Sequence, residues 1–216
     1  MIEYEILPGM YICPTPAGAY YAVSSPLEDP SRTILNGMLR KNESQIFSTE
    51  TLKNITGISN DYDSLEQIYR LQNLGLVTGL RNKYISPQGS IETVMPKILA
   101  DLAGRGKALL SDQEGFYLAT HGFHHETAEE LAGLSADLCS MHARHAGLLE
   151  GNLGLTTCAW ALTNAGGTCE VGFWPIFIEN YRFVLVISGA PILNQTAMLD
   201  MAWGLSRRYS KNTHNM

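Results

Sequence analysis

The chain has 216 residues, 45% hydrophobic and 17% charged, which supplies apolar material for one or two packed domains and too little charge for a disordered chain. A formal net charge of −6 argues against a protein that coats nucleic acid. No apolar run approaches the ~20 residues that span a bilayer, the opening MIEYEILPGM lacks a basic segment followed by a long apolar one, and Cys13, Cys139, Cys158 and Cys169 show no CxxC spacing; these features predict a cytoplasmic protein with reduced thiols and no membrane insertion.

In chain order, EILPGMYICPTPAGAYYAVSS alternates short apolar runs with Pro/Gly turns and predicts a β-hairpin or two small strands. Asp29-Pro30 reads as a helix start, followed by Ile34, Leu35, Met38 and Leu39 at helical spacing. Ser48, three residues before Thr51, makes an imperfect capping box for a short helix that Gly57 ends. A third helix begins near Asp61 or Asp63 and runs into Leu-Gly-Leu-Val. YISPQGS, Tyr84–Ser90, is the polar, Pro/Gly-broken domain boundary.

Beyond it, Ile91, Val94, Met95, Ile98, Leu99 and Leu102 form an amphipathic stripe, with Pro96 lowering the helical propensity of its first turns. KALLS, the turn DQEG and FYLAT read as a tight hairpin. The loop HGFHH leads to a helix from about Glu126 to Gly147. Strands follow over LTTCAWALTN, TCEVGFWPIFI and FVLVISG, and a closing helix over NQTAMLDMAWGLSRRYS with Asn194 as its cap. KNTHNM reads as a tail. The predicted division is residues 1–85, a linker at 86–90, a second domain over 91–210, and a tail at 211–216.

Five of the six histidines lie in HGFHHETAEELAGLSADLCSMHARHAG, which raises the question of a metal or catalytic centre. At about 100° per residue, Leu134, Leu138, His142, His145 and Leu149 fall within roughly 60° of Leu131 on the helical wheel. The histidines therefore extend a leucine stripe, opposite an arc of Glu129, Glu130, Asp137, Ser140 and Arg144. Cys139 diverges from both histidines, so one helix cannot bring all three to a tetrahedral metal. The stripe reads as a packing or dimer face, and His121, His124 and His125 as solvated or partner-contacting loop residues. Cys158 and Trp160 share one strand face and read as core or interface. No GxxxxGK[ST], GxGxxG, GxSxG or HExxH pattern is present, and Asp112-Gln113-Glu114-Gly115 has too few carboxylates for a calcium loop. The expectation is a protein that is not an enzyme, with no cofactor and no metal, and an interface made by Leu131, Leu134, Leu138, His142, His145, Leu149 and Trp160.

Two resemblances attach to these residues. The three helices ending in LGLV, with Gly75 and a wing-like Val77–Tyr84, resemble a winged helix-turn-helix, and the hairpin-then-helices order resembles more weakly the small peptide chaperones of the PqqD type. Residues 1–90 hold seven Lys/Arg against nine Asp/Glu, and DYDSLEQIYRLQNLG has one arginine and three acids, a poor balance for phosphate contacts. Protein docking is the preferred use of that module. GKALLSDQEGFYLATHG, ETAEELAGLSADLCSMHAR and YRFVLVISG resemble in their order the roadblock family, which includes bacterial polarity regulators of the MglB type. Longin and profilin-like domains have related layouts.

The roadblock resemblance implies an α+β domain over 91–210 with a five-stranded antiparallel sheet and helices on its faces. It also implies homodimers or heterodimers that serve as platforms for small Ras-like GTPases or motor subunits without catalytic residues of their own. The expectation is therefore a dimeric scaffold or regulator that binds a small Ras-like GTPase or another regulatory protein. The alternative is a winged-helix transcription regulator dimerised by its second domain.

Overall fold

A computed structural model describes residues 4–210; the tail read at 211–216 and the first three residues of the opening segment lie outside it. The chain forms two units, one of Met1–Val23, Leu27–Gln88 and Asn194–Met216, the other of Ser24–Pro26 and Gly89–Leu193.

The first unit begins with strand β1 (Tyr11–Pro14) and helix α1 (Pro16–Val23). The hairpin predicted for this segment is thus half strand and half helix. Thr15 Oγ1 accepts the Gly18 N–H at 3.0 Å and Pro16 takes the first helical position, a start that suits a residue without an N–H. Gly18 lets α1 approach closely: a Cβ there would stand 1.9 Å from the Leu76 carbonyl oxygen. Helix α2 (Pro30–Leu39) starts where the sequence places it. Asp29 accepts the Arg32 N–H, satisfying one of the free donors of the first turn.

After β2 (Gln45–Ile46), Ser48 caps α3 (Thr49–Thr56) and Gly57 closes it at φ 71°, a left-handed conformation that favours glycine. Asn60 caps α4 (Asp61–Asn73), and β3 (Val77–Leu80) follows. The strand order is β2-β1-β3, and β3 pairs with β1 from Tyr11↔Leu80 to Pro14↔Val77. The segment read as a wing is therefore an edge of this sheet, hydrogen-bonded to a strand at the start of the chain. Ser86, read as linker, is buried and donates to the Asn42 carbonyl.

The closing helix α7 (Thr196–Tyr209) belongs to this same unit, whereas the sequence attaches it to the second domain. Its side chains explain the placement. Fully buried Trp203 donates its indole N–H to the Lys41 carbonyl at 2.7 Å and stacks on Tyr84 with ring centroids 5.7 Å apart. Tyr84 in turn donates to Asp200 at 2.7 Å, and Arg207 donates to Ser86 at 3.0 Å. Burial, and the bond to Asp200, push the Tyr84 hydroxyl well above its ordinary range. Gln195, not Asn194, occupies the cap position and makes no side-chain capping bond.

The second unit starts with α5 (Ile91–Ala103), which accommodates Pro96 in its interior. A β4 (Lys107–Ser111) and β5 (Tyr117–His121) hairpin follows, then the long α6 (His125–Arg144). A π-helical turn covers Gly147–Asn152, and strands β6 (Trp160–Thr163), β7 (Cys169–Ile178) and β8 (Tyr181–Ser188) complete the unit. All pairings are antiparallel and the order is β5-β4-β8-β7-β6, the five-stranded antiparallel sheet that the roadblock resemblance implies. The Asp112 carboxylate accepts N–H bonds from Glu114 and Phe116, which shapes the β4–β5 turn as a side-chain-braced loop.

Leu109, Phe173, Val184 and Val186 cluster with Ala128 and Cys139 of α6. The alternate residues Ala108, Leu110, Leu185 and Ile187 are buried on the other face, the period-two pattern of a sheet covered on both sides. Gly172 is needed beneath Trp174, because a Cβ there would lie 2.2 Å from the indole ring. Among the described residues no helix is long and apolar enough to cross a membrane.

Candidate functional site

Which side of α6 meets the sheet decides what the leucine stripe can do. The buried positions are Ala128, Ala132, Ser135 and Cys139, at intervals of four, three and four residues, one helical face. These are small side chains, so the helix axis lies close to the strands. Ser135 returns its hydroxyl to the Leu131 carbonyl at 2.7 Å, satisfying itself without a partner in the sheet. The leucine stripe, read from the sequence as a packing or dimer face, lies on the flank of these buried positions. Leu131 and Leu138 are half-buried against the core cluster, and Leu134 is 40% exposed. A hydrophobic wheel weights leucine above alanine; close packing against a flat sheet selects the small residues.

The leucine flank faces the β6 edge. Trp160, the first residue of β6, donates its indole N–H to His142 Nδ1 at 3.2 Å. The two rings meet edge to face with centroids 6.1 Å apart. Trp160 pairs in register with Phe173 and Leu162 with Val171, so both β6 side chains lie on the α6 side of the sheet. Leu162 is 59% exposed. Strand β6 ends the sheet and its outer edge has no strand partner among the described residues. Beyond α6, Leu148, Leu153 and Leu155 are 49%, 60% and 44% exposed, while Leu149 is half-buried in the π-helical turn.

The structure thus places Leu131, Leu134, Leu138, His142 and Trp160 on the α6–β6 side of the second unit. His145 is at the C-cap of α6, where the regular helix ends, and it is exposed. Sequence reasoning missed Leu162, although its alternation with Trp160 was readable. Next to Leu134 the outer arc of α6 carries Glu126, Glu130 and Asp137, and no Lys or Arg occurs between residues 108 and 143. Apolar flank and acidic arc therefore adjoin.

Among the described residues the remaining histidines and thiols are not gathered into a metal-binding cluster. His125 Nδ1 is 2.7 Å from the Tyr117 hydroxyl and its Nε2 is 3.5 Å from Glu129. Burial pushes the Cys139 and Cys158 thiols up, away from the thiolate form that nucleophiles and metal ligands require. Cys158 donates to the Ser24 carbonyl at 3.7 Å. Among the described residues no group of three His, Cys, Asp or Glu side chains is arranged to hold a metal ion.

No family model and no curated protein matches the chain. Solved structures do. A Roadblock/LC7 domain from Streptomyces avermitilis is 15% identical over 52% of this chain and 91% of its own, with a TM-score of 0.33. Myxococcus xanthus MglB is 15% identical over 54% and 90%, with a TM-score of 0.33. A gliding protein, MglB, from Thermus thermophilus is 21% identical over 57% and 93%, with a TM-score of 0.36. The architecture of the second unit rests on its strand order and register, not on these overlaps.

Proposed function

We propose that this protein is a non-enzymatic, dimeric scaffold or regulator whose α6–β6 face docks protein partners, a small Ras-like GTPase foremost. One observation carries the docking reading. Leu134 of α6 and Leu162 of β6 are 40% and 59% exposed, and β6 is the open edge of a five-stranded sheet. Apolar side chains beside an unpaired edge favour association with another chain, because burial removes apolar surface from water and the edge supplies free N–H and C=O groups. A second copy of the chain satisfies the apolar flank. The adjoining acidic arc, Glu126, Glu130 and Asp137, suits a partner with cations at its rim.

The GTPase assignment follows from the roadblock resemblance of GKALLSDQEGFYLATHG, ETAEELAGLSADLCSMHAR and YRFVLVISG. The chain then acts by positioning groups of the GTPase itself. The first unit, acidic on α4, adds a protein-docking surface.

The test is binding of the full chain to a panel of purified Ras-like GTPases, each loaded with GDP or a non-hydrolysable GTP analogue, by calorimetry. Nucleotide-dependent binding to one of them, weakened at least tenfold by the charge reversal Glu130→Lys on the acidic arc, supports the reading. No binding by any GTPase in either state removes it.

A further inference from the structure

His142 is held in an arrangement that only one protonation state permits. Its side chain is 12% exposed. Its Nδ1 lies 3.2 Å from Trp160 Nε1, and an indole N–H is a donor only. Nδ1 must therefore offer its lone pair, which places the proton of the neutral ring on Nε2. Nε2 is buried and makes no hydrogen bond, although Glu150 Oε1 is 3.5 Å away. An imidazolium donates from both nitrogens, so the bond from Trp160 and a charged His142 exclude one another.

We propose that His142 is a proton-operated latch between helix α6 and edge strand β6: neutral, it holds Trp160; protonated, it releases Trp160 and turns its charge to Glu150. The charges around the ring come from three elements. His142 lies in the last turn of α6, where the helix dipole favours a cation. Glu150, from the π-helical turn, also favours the charged ring. Arg182 of β8 carries a charge felt by both the Cys139 and Cys158 thiols, which burial keeps neutral. Trp160 opens a strand of only four residues, so its release loosens the start of the sheet edge that carries Leu162. Lowering the pH thus alters the face assigned above to docking, while the latch itself requires no partner.

The test follows the Trp160 indole N–H of the uniformly 15N-labelled full chain by NMR from pH 8 to pH 5. Its resonance is identified by its loss in Trp160→Phe. The expected result is a one-proton transition that disappears in His142→Gln, whose amide oxygen accepts the same bond without titrating. A Trp160 resonance that does not titrate in the wild type, or titrates unchanged in His142→Gln, overturns the proposal. Sedimentation in the same buffers reads the oligomer separately, so failure of the latch and failure of the dimer are distinguishable.

Discussion

Replacing Trp203 by alanine should unfold the first unit before the second. The indole is fully buried, stacks on Tyr84 and donates to the Lys41 carbonyl at 2.7 Å, two contacts that both lie within that unit. Truncating a buried Trp costs about 3–5 kcal/mol through lost transfer energy and the cavity left behind. A whole domain holds only about 5–15 kcal/mol, so the loss consumes a large part of it. Trp203→Phe keeps a ring against Tyr84 and removes the hydrogen bond, and should cost about 1 kcal/mol with a further loss from the smaller ring. Native-state hydrogen exchange resolves the units. In Trp203→Ala, amides of α1 and α2 should lose protection at lower denaturant than those of β7 and β8. Equal loss in both units, or a destabilisation below about 1 kcal/mol, refutes the assignment of α7 to the first unit.

Three further outcomes follow from the same geometry. Gly18→Ala places a Cβ 1.9 Å from the Leu76 carbonyl oxygen, and chemical denaturation should register a loss of about 1–3 kcal/mol from overpacking; a neutral result means α1 shifts freely. Burial pushes the Cys13 thiol up to about 12, so the folded state keeps a proton that the unfolded chain releases from about pH 9 upward. This contribution is complete below about pH 9 and is lost as the pH rises toward 12, at up to about 1.4 kcal/mol per pH unit; the wild type should show a steeper alkaline decline than Cys13→Ala, and parallel curves contradict the burial argument. Asp29→Ala removes the acceptor for the Arg32 N–H and the 2.7 Å partner of its guanidinium, and should cost about 1 kcal/mol by thermal denaturation, as loss of an N-cap does.

Much of the fold was legible because local chemistry agreed with the tertiary structure. Asp29-Pro30, Ser48 and Gly57 mark helix ends in the sequence and do so in the structure, since a cap satisfies donors and acceptors within a few residues. The β4–β5 hairpin and the apolar run of β8 were readable for the same reason. Helix α1 was not, because its Tyr and Val residues and the preceding Pro/Gly turns read as strand and turn, while the decisive Thr15–Pro16 start carries a short signal. The placement of α7 depends on Trp203 finding Tyr84 and Lys41, residues more than a hundred positions away, and no periodicity encodes that. At the candidate site helical phase grouped Leu131, Leu134, Leu138 and His142 on one side of α6, but it did not reveal that Ala128, Ala132, Ser135 and Cys139 meet the sheet, because helical phase ranks side chains by hydrophobicity and the sheet selects them by size.

The central claim is that the α6–β6 face is a self-association surface. Sedimentation equilibrium of the full chain at neutral pH measures it most directly, with Leu134→Asp and Leu162→Asp as probes on exposed positions that leave the core intact. The account predicts a wild-type species of twice the 23.8 kDa chain mass, and monomers in both variants with unchanged thermal unfolding of the monomer. A wild-type monomer at tens of micromolar, or a dimer that survives both substitutions, contradicts it.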